Sequence, residues 1–271
     1  MKKKSKKFKV ACIQMTSKNN MDHNILEVSK KINNAKKLGA DLVILPENVF
    51  YMSKNFKGLI KNSYEEKKHP GIFEIKNISL NLKIFILLGS VCIKNKGNFF
   101  NRSILIGPDG KIKKRYDKIH LFTAKLPDGS TYNEKKFFKS GKKISIYNLP
   151  WGKIGMTICY DLRFPYLYRK LAQQNVSFIS VPSAFTLFTG KLHWHTLLKA
   201  RAIENGCYFF APAQSGKHPG HIKTFGHSLI VDPWGKIICD NKNKDKIFVK
   251  EIDPNIVKKA RQSIPSLNYK K

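Results

Sequence analysis

The chain has 271 residues, with 51 Lys and Arg against 18 Asp and Glu and a formal net charge of +33. That length suits one α/β domain with a sizeable core, and no apolar run of about 18 residues exists to cross a membrane. The basic excess is nearly all Lys, spread evenly and accompanied by many Asn, Ile and Phe, which share AT-rich codons; without an RNP, zinc-finger or helix-turn-helix pattern, nucleic acid is not an expected partner.

Residues 1–8 read as a basic N-terminal extension, 9–253 as one domain and 254–271 as a basic, solvated tail. The start resembles the charged region of a signal peptide, but Val10 to Met15 is too short and strand-like for its apolar core. The five cysteines are odd in number and irregularly spaced, which argues against a disulfide framework. A cytoplasmic protein is expected.

In chain order, Lys7 to Met15 reads as a strand, and Asn24 to Leu38 as a helix with Gly39 just past its end. Ala40 to Pro46 is a continuous apolar run, a strand buried on both faces, and it ends in Glu47. Asn48 to Pro70 is polar and irregular. Strands follow at Lys83–Ser90, Phe99–Ile106 and Lys111–Tyr116, the last two joined by the turn Gly107-Pro108-Asp109-Gly110. Asp117 to Gly141 has little regular pattern. Lys143–Leu149 and Gly152–Cys159 are strands, 166–174 a helix and Val176–Ser183 a strand. Leu192–Asn205 is a helix and Cys207–Pro212 a strand. Ala213 to Gly226 is a Gly- and His-rich loop, and two short strands surround Asp232-Pro233-Trp234-Gly235. Helix, polar turn, apolar strand, Pro and a polar residue occur twice, ending at Leu45-Pro46-Glu47 and at Val181-Pro182-Ser183. This weak repeat suggests two similar halves. The alternation of strands and helices predicts a layered α/β fold, in which polar residues at the ends of buried strands are the places for chemistry.

Cys159 is the one cysteine at the junction of an apolar run and a polar turn. Pro165 in the first turn of the following helix fits a strand–turn–helix unit, and a helix N-terminus favours thiolate over thiol. Alone, the pattern fits a core cysteine as well as a nucleophile. Glu47, Lys118 and Glu134, each taken singly, read as an ordinary strand-end carboxylate and two surface residues.

Together these stretches carry more. Leu45-Pro46-Glu47, Arg115-Tyr116-Asp117-Lys118-Ile119-His120-Leu121-Phe122 and Cys159-Tyr160-Asp161-Leu162-Arg163-Phe164-Pro165 resemble the nitrilase superfamily of carbon–nitrogen hydrolases. Ser183-Ala184-Phe185-Thr186, His193-Trp194, Leu197 through Asn205, Phe225-Gly226-His227-Ser228 and Asp232-Pro233-Trp234-Gly235 resemble its Nit branch, which contains amidases acting on deaminated glutathione and, more distantly, ω-amidases. The resemblance runs from about Lys9 to Asp253. It departs from the family pattern at Thr123, where Asp is typical, and at Lys135, where Ser is common after the glutamate.

The resemblance implies a four-layer α/β/β/α sandwich, a homodimer formed through the helix after Cys159 and the tail, and a small-molecule amide as substrate. It implies Cys159 as nucleophile, Glu47 as general base, Lys118 as oxyanion stabiliser and Glu134 as a positioning glutamate. Tyr160, Arg163, Phe185 and Thr186 are assigned to substrate binding on the same ground. The chemistry is self-consistent: a thiol must lose its proton to attack an amide carbonyl, and a carboxylate can take it. No cofactor is required. His193 and His195 stand two apart on a helix and face different ways, so no metal is expected. His227 reads as a hydrogen-bonded structural residue. Ser215 to Phe225, with two Lys and two His, reads as a cationic rim in which Lys223 binds a substrate carboxylate. The leading expectation is an amidase of the deaminated-glutathione type releasing acid and ammonia through a Cys acyl-enzyme. The alternatives are an ω-amidase or other carbon–nitrogen hydrolase, and an inactive scaffold on the same fold; intact Glu47, Lys118 and Cys159 argue against the scaffold.

Overall fold

A period of two sorts the first strand, Phe8–Cys12, between two cores. Phe8, Val10 and Cys12 face one apolar cluster, whereas Ala11 and Ile13 face another. The computed structural model describes residues 6–127, 129–242 and 247–267. It contains two six-stranded sheets. One runs in the order Val249–Ile252, Phe8–Cys12, Leu42–Ile44, Phe85–Asn95, Asn98–Ile106, Ile112–Asp117. The other runs in the order Ser145–Leu149, Gly152–Met156, Val176–Ser180, Tyr208–Ala211, Leu229–Val231, Ile237–Asp240.

Read in those orders, the strand pairings of both sheets are antiparallel, parallel, parallel, antiparallel, antiparallel. The weak sequence repeat is therefore a structural one. The strands that precede Glu47 and Ser183 occupy the same place in the two halves. Phe8, Leu42, Leu87 and Leu105 of the first sheet meet Ile154, Phe178 and Phe210 of the second in one buried cluster. Phe8 stacks on Trp151 at 4.4 Å between ring centroids, and Phe178 lies on Phe210 at 5.7 Å. Helices Met21–Lys37 and Pro70–Leu82 cover the outer face of the first sheet through Val28, Ile32, Ile75 and Ile78. Helices Pro165–Gln173 and His195–Asn205 cover the second through Leu167, Leu171 and Leu198. The result is the expected α/β/β/α sandwich.

The structure fills stretches that the sequence pattern leaves unassigned and differs from it in others. Pro70–Leu82 is a helix although Gly71 and several Asn and β-branched residues blunt its propensity. Burial of Ile72, Ile75 and Ile78 decides it, with Pro70 in the first turn and His69 Nδ1 accepting from the Gly71 N–H at 3.2 Å. Val249–Ile252 is an edge strand. The patternless stretch after Asp117 contains a hairpin, Thr123–Lys125 with Thr131–Asn133. The tail expected to be solvated from residue 254 forms a helix, Asn255–Ser263, whose Val257 and Ala260 are buried. Arg261 fastens it, donating to the carbonyls of Val176 and Asn205 at 2.6 and 3.2 Å. At the other end Phe8, placed in the N-terminal extension by sequence, is a core residue of the first strand. Residues 1–5 and 268–271 lie outside the described residues.

Phe178 touches both sheets' aromatic rings, so removing it should open a cavity that neither sheet can close. Phe178→Ala should cost about 3–5 kcal/mol of stability. Urea unfolding checks this: the midpoint should fall with little change in slope, and a loss below about 1 kcal/mol would contradict the packing described.

Candidate active site

Three strand ends and one short turn converge on a single cavity of about 580 Å³. Glu47 follows Leu42–Ile44. It is aimed there because the neighbouring strand comes unusually close: Leu45 N–H donates to the Leu87 carbonyl at 2.9 Å and Ser90 N–H to the Pro46 carbonyl at 3.3 Å. Only glycine fits at 89, where a Cβ would lie 1.9 Å from the Leu45 carbonyl oxygen. Lys118 follows Ile112–Asp117 and is 1% exposed. Glu134 opens a short helical turn at the end of the 123–133 hairpin.

Lys118 Nζ lies 2.8 Å from Glu47 Oε1 and 3.0 Å from Glu134 Oε2. The carboxylates have further donors. Asn101 Nδ2 reaches Glu47 Oε1 at 2.9 Å, the Ala184 N–H reaches Glu47 Oε2 at 3.0 Å, and the Phe122 N–H reaches Glu134 Oε2 at 2.8 Å. Burial alone would lower the Lys118 pKa, but Glu134 and Glu47 outweigh it and raise it well above 10.5, so the ammonium is permanent. Burial raises the Glu134 carboxyl above 4.5; Lys118 opposes that and Glu47 adds to it.

Cys159 sits at φ +47°, in the left-handed region that a side chain other than Gly, Asn or Asp seldom adopts. Its N–H donates to the Pro182 carbonyl at 3.0 Å. Asp161, fully buried, holds the turn. Its Oδ2 accepts from the Ile158 N–H and from Tyr116 Oη, both at 2.8 Å, and its Oδ1 accepts from the His120 N–H at 3.1 Å. One carboxylate thus ties the turn carrying Cys159 to the segment carrying Lys118. Asp161 and Asn101 carry no role in the sequence pattern. The signal for Asp161 is a lone acidic residue two positions after the cysteine, in a turn that the sequence places at the end of a buried strand.

The expectation of a preformed thiolate fails. Cys159 begins a short 3₁₀ turn rather than the helix, which starts at Pro165. Burial, followed by the neighbouring Glu47 carboxylate, raises the thiol well above its ordinary 9.0; Lys118 offsets this only partly. At rest the sulfur carries its proton beside a carboxylate able to receive it.

Tyr160, Arg163, Phe185 and Thr186 all line the cavity, as sequence placed them. Arg163 lies over the Phe185 ring at 5.5 Å and the Tyr160 ring at 6.0 Å, and meets His193 Nδ1 at 3.3 Å. Among the described residues its partners are these two rings and His193, not a carboxylate. Burial and the Arg163 charge lower the His193 pKa below 6.5, so it is neutral beside the guanidinium at neutral pH. Lys54 and Lys57 also reach the cavity. Lys223 does not. The loop expected from Ser215 to Phe225 is a hairpin of Ser215–Lys217 with Lys223–Phe225, and strand alternation sends Thr224 to the cavity and Lys223 to an adjoining hollow with Lys191 and His221. His218 is buried under the hairpin, bonded to the Ser17 carbonyl and Thr224 Oγ1 at 2.9 and 2.7 Å. His193 and His195 point apart, as expected, but His195 meets His227 and Asp240 instead.

This constellation has relatives. The carbon-nitrogen hydrolase family matches residues 9–262. A deaminated glutathione amidase of Synechocystis is 38% identical over 270 residues, 98% of both chains. An omega-amidase of mouse is 31% identical over 268 residues, 97% of this chain and 95% of the relative. The crystal structure of Nit3 of Saccharomyces cerevisiae, a member of branch 10 of the nitrilase superfamily, superposes with a TM-score of 0.86 at 28% identity, over 97% of this chain and 96% of that one. The chain belongs to the carbon–nitrogen hydrolases of the nitrilase superfamily. It is a hydrolase of carbon–nitrogen bonds other than peptide bonds.

If Glu47 holds the thiol proton on, neutralising it should lower the thiol pKa. Alkylation of Cys159 by iodoacetamide should still be rising above pH 9.0 in the wild type. In Glu47→Gln the same rise should come at lower pH. A rate that is flat from neutral pH upward in the wild type would mean a preformed thiolate and would contradict this electrostatic account.

Proposed function

We propose that the cavity is the active site of a thiol amidase, that Cys159 is its nucleophile, and that its substrate is a small carboxylate-bearing amide of the deaminated-glutathione type. The observation that carries this is the meeting of Cys159, Glu47, Lys118 and Glu134 in one cavity beside Arg163, which has no carboxylate partner among the described residues. Glu47 takes the Sγ proton as sulfur attacks the amide carbon, so a proton moves within the site and its net charge is unchanged. The oxyanion that forms is stabilised by Lys118 and by the Tyr160 backbone N–H. Glu47 then hands its proton to the departing nitrogen. The leaving group is ammonia only from a primary amide; deaminated glutathione is a secondary amide, so with a substrate of that type an amine leaves in place of the ammonia expected from sequence. Water, deprotonated by Glu47, releases the acid from the thioester. Glu134 holds Lys118 in place, because one carboxylate alone would leave the ammonium free to swing when Glu47 is protonated.

Arg163 replaces Lys223 as the leading carboxylate reader. It is half-buried on two aromatic rings, where a charge-assisted hydrogen bond is stronger than at an exposed lysine. The hollow lined by Lys191, His221 and Lys223 adjoins the cavity and has room for a longer leaving group. That room, and the higher identity to a deaminated glutathione amidase, favour this reading over an ω-amidase, whose leaving group is ammonia.

We further propose a homodimer joined by the face where Tyr166, Ile203, Trp234 and Ile264 are exposed, four large apolar residues on or beside the outer helices of the second sheet. Light scattering should give about twice the 31.1 kDa chain mass, and about half that mass in Ile203→Asp. A monomer at every micromolar concentration contradicts it.

Turnover tests the chemistry. Cys159→Ala should lose on the order of a million-fold in kcat. Lys118→Ala should lose at least about 10²–10³. Activity within tenfold of wild type in Cys159→Ala would remove the nucleophile assignment. For selectivity, kcat/KM should be about ten- to a hundredfold higher for a carboxylated amide than for its neutral analogue, the ratio expected of a bond of about 1.5–3 kcal/mol. Arg163→Ala should abolish most of that preference and Lys223→Ala little of it; the reverse pattern would restore the lysine.

A further inference from the structure

We propose that His195, His227 and Asp240 form a three-ligand site for one divalent ion of the zinc class, outside the catalytic cavity. Ring nitrogens of both histidines and a carboxylate oxygen of Asp240 lie within 4.8 Å of one another. His195 Nε2 is 3.2 Å from Asp240 Oδ2, and His227 Nδ1 is 3.0 Å from Oδ1 and 3.1 Å from Oδ2. Tetrahedral zinc with bonds of roughly 2.0–2.2 Å sets neighbouring ligand atoms about 3.3–3.6 Å apart. Two edges of such a tetrahedron are therefore nearly in place, and the third needs only a small closing of the two rings.

The ligands are held from behind, which is what distinguishes a site from a chance meeting of side chains. Asp240 Oδ1 accepts the Lys242 N–H at 2.7 Å, which fixes the carboxylate plane. His227 sits at φ +55°; its N–H donates to the Lys242 carbonyl at 2.9 Å and its own carbonyl accepts Trp194 Nε1 at 2.8 Å. Its ring stacks on Phe225 at 4.2 Å between centroids. His195 is held inside a helical run, where the π turn Gly190–Trp194 passes into His195–Asn205. All three side chains are partly exposed, 31%, 19% and 22%, so a water completes the fourth position. Two imidazoles and one carboxylate, with no thiolate, suit Zn²⁺, Co²⁺ or Ni²⁺ and are too nitrogen-rich for Mg²⁺ or Ca²⁺.

Binding needs no co-reactant. The ion takes one unprotonated nitrogen of each ring, Nε2 of His195 and Nδ1 of His227; each neutral ring then has its single proton on its other nitrogen, and any proton displaced from a ligand nitrogen passes to solvent. The bound ion joins the helical run at His195 to the strand ending at Asp240 and to the segment just after the Lys223–Phe225 strand, whose Thr224 lines the cavity. It acts as a staple on the cavity wall rather than in the reaction.

The test uses the full chain without an affinity tag, stripped with a chelator and titrated with Co²⁺. Wild type should bind one ion with the intense visible absorption of a tetrahedral site, and Zn²⁺ should displace it. Zn²⁺ should also raise the thermal midpoint. His195→Ala and Asp240→Asn should each weaken binding by more than the roughly 10–100-fold that follows loss of an outer hydrogen-bond partner, and should lose the zinc-dependent rise in midpoint. His193→Ala, two residues away, should keep both. Circular dichroism confirms that each variant is folded, and His195, being partly exposed, gives the variant least dependent on packing. Absence of one-to-one binding in wild type, or binding that His195→Ala and Asp240→Asn leave unchanged, overturns the site.

Discussion

The structure depends on a buried ammonium held between two carboxylates. Lys118 is 1% exposed and Glu47 3% exposed, so bulk water solvates neither well, and the buried charges are tolerable because the ammonium lies within about 3 Å of both carboxylates. Truncating one member of such a cluster leaves an uncompensated buried charge, worth roughly 3–5 kcal/mol. Along the chain Lys118 lies 71 positions after Glu47 and 16 before Glu134. The cluster therefore fixes the ends of the first sheet and the 123–133 hairpin relative to one another before any substrate arrives. Asn101 and the Ala184 N–H on Glu47, and the Phe122 N–H on Glu134, occupy further lone pairs and hold the carboxylates in place.

The repeat within the chain explains why Cys159, the proposed nucleophile, meets that cluster. Each half contributes a six-stranded sheet with the same sequence of pairings, and the two stack face to face. Glu47 stands at the end of the second parallel strand of one half, and Cys159 just past the first parallel strand of the other. Facing the sheets brings these ends together. Asp161 then joins the halves at the level of single atoms, accepting from the cysteine turn on one side and from Tyr116 and the His120 N–H on the other. Pre-organisation of this kind places the oxyanion donors before the charge develops.

Much of this was legible in the residues. The buried run ending in Glu47, the Cys159 turn and the two-half architecture follow from periodicity, and the family resemblance supplied the pairing of Glu47 with Lys118 and Cys159. What was not legible has physical causes. The helices Pro70–Leu82 and Asn255–Ser263 are set by tertiary burial against weak or polar local sequence. The thiol's high pKa depends on a desolvation and a carboxylate that only three dimensions bring near. Lys223 was misplaced because its hairpin was read as a loop, and the alternation that turns Thr224 inward and Lys223 outward exists only in a strand. The His195–His227–Asp240 cluster spans 45 residues and has no local pattern at all.

The central claim is that hydrolysis passes through a thioester on Cys159. Product partitioning with hydroxylamine tests it most directly, because a thioester can be intercepted by a competing nucleophile and a direct attack of enzyme-bound water cannot. The account predicts that added hydroxylamine diverts product from the acid to the hydroxamate in rising proportion, with Cys159→Ala forming neither. Acid as the sole product at every hydroxylamine concentration, with turnover undiminished, would contradict it.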